Sequence, residues 1–165
     1  MTGSYRVGIF PGSFNPFHKG HLDILMQAIE QFDKVIIAVG TNPDKKKGSI
    51  NRVETIKLQL KDFYNLEGRV KVEEFSGFLV DYVHKKELVP HFTSVSIIRG
   101  LRNASDLEFE TTQARVIQDQ KPDVKTVFFL TNRGFEHVSS SMIRALEGIQ
   151  EGSASEYIVK NATIK

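Results

Sequence analysis

The sequence contains no cysteine, which excludes a disulfide scaffold, a thiolate nucleophile and a Cys-type zinc site. It has no tryptophan and little excess charge: 22 Lys and Arg against 20 Asp and Glu, a formal net charge of +2. That near-neutral balance supplies no basic field of the kind that holds nucleic acid. No apolar run approaches the roughly 20 residues that a membrane-spanning helix needs. The opening MTGSYRVGIF turns apolar at once, without a charged leader followed by a cleavage site. A soluble cytoplasmic protein is therefore expected, with neither nucleic acid nor membrane as partner. Two phosphate-binding fingerprints are also missing. There is no G-x-x-x-x-G-K-[ST] loop, so this is not a Walker-type ATPase, and no G-x-G-x-x-G follows the first apolar run. Neither a Ser-His-Asp order nor a paired-carboxylate pattern stands out for hydrolysis.

What is present is average in amount and distinctive in arrangement. With 40% hydrophobic and 25% charged residues over 165 positions, the chain can bury a core without metal or disulfides. No repeat, linker or low-complexity stretch divides residues 1–165, so a single domain is expected. Short β-branched runs alternate with helical periodicity. Arg6–Phe10, Lys34–Gly40, Val70–Phe75, Ser94–Gly100 and Lys125–Thr131 read as strands. The near-continuous apolar run KVIIAVG suits a parallel strand covered on both faces. Helices are expected over Gly20–Phe32, Asn51–Phe63, Phe78–Lys86, Ser105–Ile117 and Ser139–Gly148. Asn51 with Glu54 and Ser105 with Glu108 are spaced as capping boxes, and Gly148 is placed as a terminator. The stretch beyond Gly152 is weakly patterned. Strands alternating with helices predict an α/β fold on a five-stranded parallel sheet.

In such sheets ligands bind beyond the carboxyl ends of the strands. The segments that follow the five runs are PGSFNPFHKGH, TNPDKKK, SGF, RGLRNASD and TNRGFEHVSSS. Four of the five are rich in Gly, Ser, Arg, Lys and His, which points to a phosphate-handling site. In the first, Gly12 allows close backbone approach, and Gly20 and His21 stand at a helix start whose free N–H groups favour an anion. His18 and His21 can both donate to phosphate oxygens. The alternatives are two solvated histidines or a His-x-x-His metal site, and no third ligand accompanies the pair. Lys45, Lys46 and Lys47 are either a solvated run or a source of one mobile phosphate clamp. Arg99 and Arg102 flank Gly100 at a strand end. Their partner is a phosphate or a structural carboxylate such as Asp106, Glu108 or Glu110. Ser139, Ser140 and Ser141 are an N-cap with spare hydroxyls, or a second anion site.

These residues resemble the HxGH nucleotidyltransferase superfamily, with GSFNPFHKGH as its first signature and VSSSMIR as its second. The block RGLRNASDLEFE and the lysine loop TNPDKKK are similar to those of the phosphopantetheine adenylyltransferase family, in the same order from Arg6 to about Gln150. The resemblance implies a Rossmann-like nucleotidyltransferase with helices on both sheet faces. It implies transfer of AMP from ATP to 4′-phosphopantetheine in coenzyme A biosynthesis, giving dephospho-CoA and pyrophosphate. Mg²⁺ bound with ATP and a homohexamer are implied as well, and no residue of the chain is assigned to a metal. By matching position, His21 is the catalytic residue. Ser13, Lys45, Leu79 and Arg99 hold phosphopantetheine. Ser13, Phe14, His18, His21, Gly100, Leu101, Arg102 and Glu110 line the ATP site. The stretch Phe135, Glu136, His137, Val138, Ser139, Ser140 and Ser141 lines it too. The chain departs from the family pattern at His18, where threonine is frequent, at Asn15 (aspartate), at Phe109 (tyrosine), and over Asn132–His137. Rival readings are another HxGH transferase, acting on nicotinamide mononucleotide or glycerol phosphate, and a non-catalytic nucleotide sensor.

Overall fold

The computed structural model describes residues 3–41 and 50–160. Its elements run β1 (Tyr5–Gly12), α1 (Lys19–Gln31), β2 (Lys34–Thr41), α2 (Ile50–Leu60), β3 (Val70–Ser76), α3 (Leu79–Glu87), β4 (Phe92–Leu101), α4 (Ala104–Gln120), β5 (Lys125–Leu130) and α5 (Ser140–Ile149). The five strands form one sheet in the order β3-β2-β1-β4-β5. Every neighbouring pair is parallel. This is the α/β parallel sheet expected from the alternation, and the Rossmann-like fold that the resemblance implies.

Side-chain alternation explains why the central strands read as unbroken apolar runs. Val7 and Ile9 of β1, Ile36 and Ala38 of β2, and Ile97 of β4 enter one core cluster with Tyr82 and Val83 of α3. The intervening Phe10, Val35, Ile37, Val39 and Ile98 enter the opposite cluster with Leu25, Ala28 and Ile56 from α1 and α2. Both faces are covered, so both sets must be apolar. Gly8 is required by close approach, because a Cβ there would stand 2.3 Å from the Ile98 side chain. A third, smaller cluster joins Val138 and Ile143 to Ala154.

Three helix ends differ from the sequence reading. Asn103, not Ser105, caps α4, its side chain accepting from the Asp106 N–H. Asn103 has the extended backbone that a cap requires, whereas Ser105 is already helical. Asn51 likewise lies inside α2. Gly148 sits within the last turn of α5, which continues to Ile149 and ends where the Gln150 N–H reaches the Leu146 carbonyl. Among the described residues no helix is long and apolar enough to cross a membrane.

Candidate active site

The strand order reverses between β1 and β4, and in such sheets the crevice beyond that reversal is the natural ligand site. A cavity of about 310 Å³ lies there. The segment after β1 supplies Ser13, Phe14, His18 and His21, and β4 with the following turn supplies Arg99, Gly100 and Arg102. Glu110 enters from α4, and Phe135, Val138, Ser139 and Ser140 enter from the start of α5 and its approach. The fold thus brings together three of the sequence segments singled out for phosphate chemistry.

The histidine turn is built differently from the expectation of a helix start with open N–H groups. His18 is the N-cap of α1, and its Nδ1 accepts from the Gly20 and His21 N–H groups at 3.1 and 3.3 Å. His21 Nδ1 in turn accepts from the His18 N–H at 3.2 Å. The two side chains form a capping box, so these first-turn amides are taken and cannot face an anion. Because both Nδ1 atoms accept, the proton of each neutral ring sits on Nε2. Gly20 is glycine for this reason. A Cβ there would lie 3.0 Å from His18 Cε1 and 3.1 Å from its Nδ1.

The rings of His18 and His21 stack with centroids 3.6 Å apart. Phe14 and Phe17 approach His21 at 4.9 and 5.4 Å, with Phe10 at 6.2 Å. Phe14 holds a positive φ of 45°, uncommon outside glycine, which turns its buried ring back over Gly12. This aromatic surround disfavours the charged imidazolium. Burial, then repulsion from His18 when that ring too is protonated, then the positive charge of Arg102, hold His21 well below the usual histidine value of 6.5. Burial, then Arg102, lowers His18 to about 4. At neutral pH the site therefore presents two uncharged Nε2–H donors.

Both arginines face carboxylates. Arg99 Nε lies 3.3 Å from Glu110 Oε2, and Arg102 meets Asp106 with Nε–Oδ2 and Nη2–Oδ1 distances of 2.9 and 3.0 Å. Both expected carboxylate partners exist, and all four side chains line the cavity. Burial lowers the Arg99 pKa, while the Asp106 hydrogen bond raises that of Arg102. Glu110 Oε2 is buried and accepts no hydrogen bond among the described residues, although Arg99 is near. The Arg99 contact runs through Nε, one of five guanidinium N–H donors. Gly100 lets β4 pass close to α1, since a Cβ would fall 2.8 Å from Ile24 Cγ1.

Other expected positions lie elsewhere. Leu101 is buried, and Leu79 packs against the core cluster that contains Tyr82 and Val83; neither lines the cavity. Ser141 shares a hydroxyl contact with Ser139 at 3.2 Å, and His137 meets the Tyr157 ring edge-on. Glu136 is exposed. Lys45, with Lys46 and Lys47, falls outside the described residues. Sequence reading missed Thr131, a lining residue, and Asp23 of α1, which accepts from the Asn132 N–H at 2.9 Å and so anchors the segment leading to Phe135. A carboxylate in the N-terminal half of α1, beside its apolar positions, was the available signal for Asp23.

Residues 9–146 match a family model described as cytidylyltransferase-like. The chain is 40% identical over 160 residues to the phosphopantetheine adenylyltransferase of Clostridium novyi (strain NT), covering 97% of this chain and 93% of that protein. It is 37% identical over 155 residues to the enzyme of the same name from Alkaliphilus metalliredigens (strain QYMF), covering 93% and 92%. Among solved structures, a bifunctional NMN adenylyltransferase/ADP ribose pyrophosphatase from Francisella tularensis, complexed with AMP and a manganese ion, superposes with a TM-score of 0.69 at 20% identity. That match covers 95% of this chain and 45% of that one. A putative nicotinate-nucleotide adenylyltransferase from Vibrio parahaemolyticus gives 0.65 at 18% identity, covering 94% and 87%. These structural likenesses establish the fold.

Proposed function

This chain belongs to the phosphopantetheine adenylyltransferases of the cytidylyltransferase-like family, and from that premise we infer how its cavity performs the transfer. The reaction moves AMP from ATP to 4′-phosphopantetheine. A phosphate oxygen of the acceptor attacks the α-phosphorus, the bond to the leaving oxygen breaks, and pyrophosphate departs. The nucleophile is already an anion near neutral pH and needs no strong base. What the site must overcome is repulsion between anions and the charge growing on the α-phosphate and the leaving group.

One observation carries the assignment: two neutral imidazoles, each with its proton fixed on Nε2, share a cavity with two arginines and the serines at the start of α5. His21 is the donor to the α-phosphate, and its cap with His18 fixes its direction before substrate arrives. A neutral donor suits this role, because it stabilises developing charge without acting as a proton source. ATP is held by Ser13, Phe14, His18, His21, Gly100, Arg102, Glu110, Phe135, Val138, Ser139 and Ser140, all of which line the cavity. Ser13 touches both substrates. Lys45 and Arg99 hold phosphopantetheine. In this arrangement the Arg99–Glu110 pair loosens as Arg99 turns toward the acceptor phosphate.

Magnesium enters with ATP. Among the described residues no group of three His, Asp or Glu side chains is placed to hold an ion, and the cavity carboxylates Asp106 and Glu110 each face an arginine. In this reading the triphosphate carries the metal, which would offset its charge when bound, while the chain contributes hydrogen-bond donors and cations. A homohexamer in the cytoplasm completes the reading. In its support, α4 has no buried residue and exposes Leu107, Phe109 and Val116, and the edge strand β5 exposes Leu130.

The test is pyrophosphate release from ATP and magnesium, with 4′-phosphopantetheine, nicotinamide mononucleotide or glycerol 3-phosphate as acceptor. Release that depends on 4′-phosphopantetheine, with dephospho-CoA as product, is the expected result. Release only with another acceptor moves the substrate, and no release from folded protein that binds ATP favours a sensor.

A further inference from the structure

The loop from Ser13 to Phe17 is held by its carbonyls. Arg52 of α2 donates to Ser13 O, Arg144 of α5 to Asn15 O, Ser140 of α5 to Pro16 O, and Gln59 of α2 to Phe17 O. Gln59 stands apart from the other three. It is only 7% exposed, and its amide nitrogen also donates to Val159 O at 3.1 Å, against 3.4 Å to Phe17 O. Its Oε1 is buried and accepts nothing among the described residues. A buried amide with an orphaned oxygen is costly, and an apolar side chain of equal size would remove the orphan. The amide therefore needs a reason to be there.

The reason lies in what it joins. Val159 is 4% exposed and belongs to the main core cluster. Ile158 forms an antiparallel bridge with His18, and the Lys19 N–H donates to Tyr157 O at 2.9 Å. Ala154, Tyr157 and Ile158 pack on Val138 and Ile143 at the second signature. The Glu147 carboxylate accepts from the Gly152 and Ala154 N–H groups at 2.8 Å and shapes the turn into this segment. Residues 154–159 thus lie against both the histidine turn and the start of α5, and Gln59 pins the end of that segment to the residue just before His18.

We propose that Gln59 is a positioning residue for the transfer: by binding the Phe17 and Val159 carbonyls together, it makes residues 157–159 a brace that holds the backbone of His18 and Lys19, and with it the capping box that aims His21 Nε2–H into the cavity. This rests on the reading of His21 as the donor to the α-phosphate. A displacement of the turn by a fraction of an ångström leaves binding groups in place but spoils the alignment that turnover needs.

Two variants test it. Gln59→Met keeps the size and removes both donors. Gln59→Asn keeps the amide one methylene too short to span both carbonyls, and decides the matter should the first not fold. Steady-state pyrophosphate release by folded protein is expected to show kcat lowered about 10-fold, with KM for ATP and 4′-phosphopantetheine nearly unchanged. Nitrogen NMR of the imidazoles gives a readout independent of the reaction. The unaltered chain shows separate protonated Nε2 and unprotonated Nδ1 signals for His18 and His21, and the variants move both rings toward tautomer-averaged shifts. An unchanged kcat per folded molecule with unchanged imidazole spectra overturns the proposal, even where thermal stability falls. Absence of turnover in the unaltered chain contradicts the assigned reaction instead, and the imidazole spectra then decide the role of Gln59 alone.

Discussion

The loop that carries His18 and His21 and the helix α4 serve the same cavity, yet they are held in opposite ways. In the loop, Phe14, Phe17 and His18 are almost completely buried, and the carbonyls of residues 13, 15, 16 and 17 each have a side-chain partner. Helix α4 contributes Asp106 and Glu110 to the site but buries none of its seventeen residues. Its ties to the cavity are the Arg102–Asp106 and Arg99–Glu110 ion pairs. The part proposed to direct a hydrogen bond at an α-phosphate oxygen is set by packing and short backbone contacts. The part that meets exchangeable charged ligands is set by ion pairs, which can re-form around a phosphate with little change in total energy.

The comparison can be broken at several points. Removing the rigid donor should have the largest effect: His21→Ala is expected to lower kcat on the order of 10²-fold, measured by pyrophosphate release. A near-normal kcat in folded His21→Ala protein would remove His21 from the chemistry. Acid should expose the cost of burying the histidines. Between pH 6.5 and about 4 the unfolded chain holds a proton on His18 that the folded chain refuses. Stability is thus fully present above pH 6.5 and falls with acidification through that window, by on the order of 3 kcal/mol from His18. His21 acts in the same direction. Urea midpoints from pH 7.5 to 4.5 check this, and the decline should be smaller in His18→Asn, which keeps a capping side chain.

The ion-paired side should respond in binding rather than turnover. Arg99→Ala is expected to raise KM for 4′-phosphopantetheine about 10-fold, the scale of one charge-assisted contact, while kcat changes little. An unchanged KM would leave Arg99 as a partner for Glu110 only. The smallest effect on the isolated fold is expected on the outer face of α4. Val116→Glu, at a side chain 48% exposed, should change monomer stability by about 0.5 kcal/mol or less. If that face lies between subunits, the same substitution should lower the oligomeric mass seen by light scattering.

Much of this was legible in the residues. Short apolar, β-branched runs and period-3.6 patterning located all five strands and the helices between them, because burial on two sheet faces writes itself into local composition. The convergence of Gly, His, Arg and Ser segments on one edge followed from the parallel topology. Helix ends were less secure. Asn103 and Ser105 are both good caps, and only the backbone path out of β4 decides between them. The stretch after Gly152 looked unpatterned, yet Ala154 and Val159 are buried. Its apolar residues are spaced by a turn and a brace rather than by a regular period.

By itself the sequence determined the α/β alternation and the sheet edge at which Ser13, His18, His21, Arg99 and Arg102 gather, since each is a property of neighbouring residues. Only the tertiary structure decided that His18 Nδ1 closes the helix start, that Arg99 faces Glu110, and that Gln59 joins Phe17 to Val159. Those outcomes depend on which of several competent partners the packed core brings within hydrogen-bonding distance, and that is set by long-range geometry.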